Sequence, residues 1–384
     1  MSHDPPGIRV PLMVPELPTL AALTPYLERI DRNRWYSNFG PLVRELEARL
    51  AESFAQERRV DPQVVTVSNA TAGIELALRA LRLPAGAPVL VPALTFVATA
   101  TAVLSAGLTP IVADVDADSW LLTPEIAESA RKRERIRAVV PVSTFGCPQD
   151  AAGWDALHER TGLPVVIDAA AAYGNQFDPG PTCAVFSLHA TKPLAAGEGG
   201  FIVSRSKRFA EAIRQMSNFG INLTDAKMGP IGTTTMIGTN AKLSEYHAAV
   251  GLASLDQWPE NAERRRALFR EYQAELNGLA GLAITWQRMS DASVRSVCCF
   301  LLASPALRDR AEVILAEAGV ATRRWYLPTI DRHPAFHRIA HLPTPVAYGI
   351  EERLLGVPFY LGLNAELRGI VAAALASSAK SRAG

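Results

Sequence analysis

The 384-residue sequence has few cysteines: Cys147, Cys183, Cys298 and Cys299, with no CxxC pair among them. Adjacent Cys298 and Cys299 make a poor structural disulfide, so the thiols read as reduced and the compartment as reducing. No uninterrupted apolar run approaches the roughly 18 residues of a membrane span, and residues 1–9 lack the apolar core of a secretory signal. The expectation is a cytoplasmic protein that does not enter a membrane, and the sequons Asn69-Ala70-Thr71 and Asn222-Leu223-Thr224 are then coincidental. Neither sign of charge dominates. Lys and Arg total 39 against 38 for Asp and Glu, a formal net charge of +1, which gives no global field for nucleic acid or a lipid surface. Walker A and GxGxxG sequences are both missing, which removes a P-loop and a dinucleotide site. No repeat or low-complexity tract is present.

What is there is an ordinary globular composition, 48% hydrophobic and 20% charged, in a chain long enough for two unequal domains. Residues 1–10 read as a flexible arm. Helices are expected over 17–30 and from Leu42 through Leu46 and Leu50, joined by the aromatic connector Arg34-Trp35-Tyr36-Ser37-Asn38-Phe39-Gly40-Pro41, a ligand platform or a plug between domains. From 64 to 204, strands over 64–67, 88–91, 110–113, 138–142, 165–167, 183–186 and 201–203 alternate with helices over 71–81, 95–105, 123–132 and 150–160, and a helix over 207–216 follows. Strands that are unbroken apolar runs are buried on both faces, which predicts a mostly parallel sheet between helix layers. The Gly- and Thr-rich segment 218–240 reads as a loop over a ligand or a partner subunit. Helices over 243–255 and 259–276, strands over 282–286, 296–302 and 323–326, and helices over 307–318 and 366–376 complete the pattern. The predicted architecture is α/β: a large domain over 11–255 and a smaller C-terminal α+β domain over 256–384.

The chemistry centres on Ser187-Leu188-His189-Ala190-Thr191-Lys192, between a strand and the turn Gly197-Glu198-Gly199-Gly200. A lysine at a strand end lies where open α/β sheets bind ligands, and a desolvated amine can form a Schiff base with a carbonyl. Alone, Lys192 would read as one more surface lysine. Three neighbours in the pattern change that. Ser68-Asn69-Ala70-Thr71-Ala72-Gly73 joins a strand to a helix, and free amides and hydroxyls at a helix N-terminus favour a phosphate, although Ser and Thr also serve as plain N-caps. Phe96 follows a strand, where its ring is either core or a stacking surface. Asp168 ends another strand, as an N-cap, a metal ligand or the partner of a protonated ring nitrogen; no His or Cys nearby has metal-ligand spacing. Phosphate cradle, stacking ring, strand-end carboxylate and lysine are the parts pyridoxal phosphate (PLP) requires.

With these motifs, and with Val91-Pro92-Ala93-Leu94-Thr95-Phe96-Val97-Ala98-Thr99 and Ala106-Gly107-Leu108-Thr109-Pro110-Ile111-Val112-Ala113-Asp114-Val115, the sequence resembles the DegT/DnrJ/StrS sugar aminotransferases over nearly its whole length. The resemblance implies the type I aspartate-aminotransferase fold, a homodimer, and PLP as cofactor. It implies Lys192 as the Schiff-base lysine and Asp168 on the pyridine nitrogen, the two catalytic residues. Phe96 would stack on the ring; Ala70, Thr71, Ala72, Ser187 and His189 would surround the cofactor, and Asn240 would reach the phosphate of the other subunit. Ala171 stands near the ring where the family commonly has Gln or His, which leaves the phenolic oxygen without that hydrogen bond. The His-Ala-Thr-Lys and Gly-Glu-Gly-Gly version is similar to the branch aminating C4 of nucleotide-linked 4-keto-6-deoxy sugars. The segments around Tyr36 and Arg324 are similar to the group making dTDP-4-amino-4,6-dideoxyglucose, which implies Trp35, Tyr36, Asn38, Arg324 and Tyr326 on the substrate side. The expected reaction is ping-pong transfer from L-glutamate to a dTDP-linked 4-keto-6-deoxyhexose. The alternatives are a 3-keto sugar or keto-cyclitol acceptor, or a silent PLP-binding regulator.

Overall fold

The computed structural model describes residues 7–58, 61–223 and 229–380. Helix α1 is Leu20–Asn33, started by Thr19, whose hydroxyl accepts from the Ala22 amide. Helix α2 is Pro41–Arg58, and its Leu42, Leu46, Leu50 and Phe54 are buried along one face at helical spacing. The amides of Leu42 and Val43 donate to the Glu245 carboxylate at 2.9 and 2.8 Å, so a buried acid from a distant helix caps α2. That contact fixes position 40 as glycine, because a Cβ there would stand 2.5 Å from Glu245 Cδ.

The next elements alternate as the apolar runs predict: β1 Gln63–Val67, α3 Ala70–Ala80, β2 Pro88–Pro92, α4 Val97–Ser105, β3 Thr109–Ala113, α5 Pro124–Arg133, β4 Ala138–Val139, α6 Ala151–Thr161, β5 Val166–Asp168, β6 Cys183–Ser187, β7 Gly200–Ser204 and α7 Lys207–Ser217. Strands β1, β7, β6 and β5 are neighbours in that order, as are β4, β2 and β3, and parallel bridges Val139–Val165 and Val142–Asp168 link the two sets. All these strands run parallel except β7, antiparallel to both β1 and β6. Two apolar cores lie against the sheet, one around Val67, Ile74, Val91 and Val185, the other around Leu46, Phe54, Trp154 and Phe186.

Phe186 and Phe201 stack at 4.7 Å across the β6–β7 pair, and Phe54 meets both edge-on at 5.3 and 6.1 Å. This cluster braces the two strands that carry Ser187 and Gly200. Phe54→Ala is expected to cost about 3–5 kcal/mol, seen as a lower urea midpoint at unchanged slope.

Two predicted helices over 243–276 are one, α8 Glu245–Asn277. Pro259 lies within it on an exposed face, where the missing amide and the local bend are tolerated. Position 256, the expected start of the second domain, falls inside this helix. Beyond it come β8 Ile284–Trp286, β9 Cys298–Leu302, α9 Pro305–Glu317, β10 Ala340–His341, α10 Pro345–Arg353, β11 Leu354–Val357 and α11 Ala365–Lys380. Strands β11, β9 and β8 form an antiparallel sheet over a third core that includes Tyr272, Phe300 and Leu375, while β10 returns to pair with β3. Residues 1–6 of the expected arm lie outside the described residues, whereas Val10 is fully buried in this third core and bridges Val320.

The strand predicted over 323–326 is not one. Arg323 makes a single bridge to Gly356, and Tyr326 has φ 61°, a left-handed turn that ends any extended run. Among the described residues no helix is long and apolar enough to cross a membrane.

Candidate active site

The C-terminal ends of β1, β5 and β6 and the start of antiparallel β7 meet on one edge of the sheet. Open α/β sheets bind ligands at this edge, because helix N-termini and unpaired strand-end groups converge there.

From β1 the chain passes through Asn69, whose side chain accepts from the Ala72 amide at 2.8 Å and starts α3. The Ala72 amide is thus spent on the cap, and those of Ala70 and Thr71 are the open donors of the first turn. Gly200 faces them closely: a Cβ at Gly200 would lie 2.7 Å from the Ala70 nitrogen and 2.8 Å from the Phe186 oxygen. Next to this cradle is Ser187, nearly buried, its hydroxyl accepting from the His189 amide at 3.2 Å. His189 Nδ1 is 2.8 Å from the Thr191 hydroxyl and Nε2 is 3.6 Å from Glu198.

The loop bearing Lys192 is closed on itself by Leu188 N–Gly199 O and Ala190 N–Gly197 O bonds of 2.9 and 2.8 Å. Gly197 and Gly199 take φ of 81° and 150°, which a residue with a Cβ rarely adopts. Lys192 itself is half-buried, and its ammonium has no hydrogen bond or ion pair among the described residues. Burial pushes its pKa below the ordinary lysine value, and the nearby Asp168 charge opposes that.

Asp168, at the end of β5, is buried. Burial raises its pKa; the Thr99 hydroxyl at 2.7 Å, the Ala170 amide at 3.1 Å and the Lys192 charge all pull it back. An acid and an amine, each strained toward its neutral form and left without direct pairing, are set to receive a ligand that supplies complementary charge.

Phe96, just past the C-terminal end of β2, is 51% exposed, its ring 6.0 Å from that of Tyr326. Tyr326 stacks on Phe145 at 5.0 Å, and its phenol is pushed up by burial and, to a lesser degree, by the charge of Asp168.

A family model for the DegT/DnrJ/EryC1/StrS aminotransferase family matches residues 21–376. The chain belongs to that family. The dTDP-4-amino-4,6-dideoxy-D-glucose transaminase of Escherichia coli is 29% identical to this aminotransferase over 369 residues, 93% of this chain and 95% of its own. Among solved structures, a PLP-dependent aminotransferase from Bacillus cereus superposes with a TM-score of 0.86 at 28% identity, over 95% of this chain and 99% of its own. DesI, solved in the presence of its TDP-sugar product, gives 0.84 at 32% identity, over 98% and 94%. The fold is that of the PLP-dependent aminotransferases.

The structure of this aminotransferase brings Ala70, Thr71, Phe96, Asp168, Ser187, Lys192 and Tyr326 to one edge. Ala171, three residues past Asp168, is buried and brings no polar side chain; its carbonyl crowds Gly146, where a Cβ would stand 2.8 Å away. Arg324 is turned to the surface of α9, pairing with Glu312 and with Asp309 at 2.9 Å, while the turn at Tyr326 sends the phenol the other way. Trp35, Tyr36 and Asn38 form an exposed patch: Trp35 lies under Arg44 at 5.4 Å, Tyr36 stacks on Tyr246 at 6.2 Å, and Asn38 has φ 60°. Asn240 is exposed, its side chain taking a hydrogen bond from Lys242 at 2.7 Å, while the next carbonyl, of Ala241, accepts from Ser68 at 2.8 Å. Neither this patch nor Asn240 touches Lys192 or Asp168 within one chain. A cleft lined by Thr123, Cys147 and Arg288, and another along 131–137, lie elsewhere and include none of these residues.

Sequence reasoning missed Thr95 and Thr99. Their signal was two hydroxyls four residues apart around Phe96, one just before the N-cap of α4 and one in its first turn, directly after a strand.

Proposed function

We propose that this aminotransferase binds pyridoxal phosphate at Lys192 and moves an amino group from L-glutamate to the 4-keto carbon of a dTDP-linked 4-keto-6-deoxyhexose, in ping-pong order, within a homodimer whose sites are shared. The observation that carries this is the unpaired Lys192 amine near the buried Asp168 carboxylate, at the sheet edge where Phe96 is exposed just past the end of β2. The residues fit the cofactor. The open amides of Ala70 and Thr71 at a helix N-terminus, with the Ser187 hydroxyl and the bare Cα of Gly200 next to them, are donors suited to a phosphate. When bound, pyridoxal phosphate supplies the electron sink for moving the amino group.

The chain's own residues do the rest. Asp168 holds positive charge at the ring nitrogen, and a carboxylate with so little water around it does so strongly. Lys192 Nζ would take a proton from one carbon and return it to the carbon on the other side of the transferring nitrogen, a role suited to an amine whose pKa burial lowers. Phe96, exposed and 6.0 Å from Tyr326, would stack on the ring, and Tyr326 would lie on the substrate side.

The nucleotide-sugar acceptor is supported by the E. coli transaminase and by DesI with its TDP-sugar product. The dimer is supported by exposed aromatics: Trp35, Tyr36, Phe219 and Tyr246 are 44–50% exposed on one chain. In the test, L-glutamate is added to the PLP-loaded protein and the visible absorbance of the bound cofactor is followed. A panel of keto-sugar nucleotides is then offered and products are weighed by mass spectrometry. Amination of a dTDP-4-keto-6-deoxyhexose is expected; a 3-keto sugar or a cyclitol aminated in its place overturns the substrate assignment.

A further inference from the structure

We propose that Thr99, backed by Thr95, is a positioning residue: the two hydroxyls form a one-way donor chain that holds Asp168 as an oriented carboxylate. This rests on the PLP reading above, since Asp168 has that task only opposite a ring nitrogen.

Thr99 lies on α4 and is fully buried, and Thr95 is 1% exposed. A helical threonine ordinarily turns its hydroxyl back to the carbonyl four residues earlier, as Thr101 does to Val97 at 2.8 Å. Thr99 does not. Its Oγ1 is 2.7 Å from Asp168 Oδ2 and 2.8 Å from Thr95 Oγ1. An ionised carboxylate only accepts, so Thr99 donates to Asp168 and its oxygen takes the proton of Thr95. The opposite direction requires a protonated Asp168 and leaves Thr95 donating to the Phe96 carbonyl at 3.4 Å, a long bond. The chain therefore runs better toward the carboxylate, and hydroxyls linked in series polarise one another in that sense.

Asp168 Oδ1 is held separately by the Ala170 amide, so the two oxygens are pinned from two elements. The charged and titratable groups that act on Asp168 are Lys192 from the β6 loop and Tyr326 from the C-terminal segment. Neither fixes its rotation, because neither hydrogen bonds to it. The same turn that carries Thr95 and Thr99 carries Phe96 between them, so stacking surface and carboxylate are set by one short segment.

The test uses Thr99→Val, which keeps the shape and removes the donor, Thr99→Ser, which restores it, and Thr95→Val. Pyridoxal phosphate affinity is measured by equilibrium dialysis on full-length protein, and kcat/KM is followed against pH. Thr99→Val is expected to weaken cofactor binding about ten-fold and to move the acid limb of the profile upward by about one pH unit, as loss of a hydrogen bond to a charged group predicts. Thr99→Ser is expected to restore both, and Thr95→Val to shift both less, in the same direction. Wild-type affinity and an unmoved acid limb in Thr99→Val overturn the proposal. So does a Thr99→Ser protein that melts like wild type yet behaves as the valine variant. If the unsubstituted protein itself binds no pyridoxal phosphate, it is the cofactor reading that falls, which separates the two failures.

Discussion

Replacing Lys192 with alanine is expected to lower turnover by at least about four orders of magnitude, since both the attachment point and the proton carrier go with one amine. The visible absorbance of the lysine-bound cofactor is expected to vanish with it. The fold should survive. The Lys192 side chain makes no hydrogen bond or ion pair among the described residues, and its loop is closed by the backbone amides of Leu188, Ala190 and Lys192 itself, which alanine retains. Thermal melting and far-ultraviolet circular dichroism within error of wild type would show that. One secondary effect is also expected. Lys192 is the cation that opposes the burial penalty on Asp168, so its loss pushes the Asp168 carboxyl still higher. Turnover near the wild-type rate in Lys192→Ala would remove the lysine from the mechanism.

How legible these residues were depended on what each needs from its neighbours. The strands β1, β2, β3 and β6 were readable because a strand buried on both faces is an unbroken apolar run, a pattern written within five residues. Asp168 and Lys192 stood out as charges at the ends of such runs. The segment 323–326 misled because Arg-Arg-Trp-Tyr has the composition of a strand, while a left-handed φ at Tyr326 is set by packing on Phe145, more than a hundred residues away. That same turn is what brings the phenol to the site and leaves Arg324 outside, so a shared motif did not guarantee a shared location. The single helix through Pro259 was invisible because proline is a helix breaker on average, and only exposure of that face reveals why it is tolerated here. Strand β10, two residues long, was missed, and so were helix α10 and strand β11 after it. Thr99 illustrates the deeper limit. A threonine four residues earlier sets it apart from Thr101, two residues on, but only the position of Asp168, 69 residues later, decides which hydroxyl turns inward.

The substitution Asp168→Asn separates what this carboxylate does for the reaction from what it does for the fold, and the two are expected to move in opposite directions. The variant loses the negative charge at the ring nitrogen, and an electrostatic group of this kind is worth about two to three orders of magnitude in kcat. For stability the sign is reversed. Burial places the Asp168 pKa above its unfolded value, near 4 for a free carboxylate. Over the interval between those two values the native state binds the proton more readily than the unfolded chain. Stability therefore falls as pH climbs through it, and ionising the carboxylate is a net cost to the fold. Asparagine carries no charge and shows no such fall. It also fits the hydrogen-bond frame: its oxygen can accept from the Ala170 amide while its amide donates to Thr99, provided the Thr99–Thr95 hydroxyls reverse, ending on the Phe96 carbonyl at 3.4 Å. Thermal midpoints of the two cofactor-free proteins, taken from about pH 4.5 to pH 8, are expected to converge at the acid end and to separate in favour of asparagine as pH rises. If Asp168→Asn melts well below wild type at every pH, the carboxylate anchors the sheet edge instead of costing the fold stability, and a kcat near wild type in that variant would remove it from the mechanism.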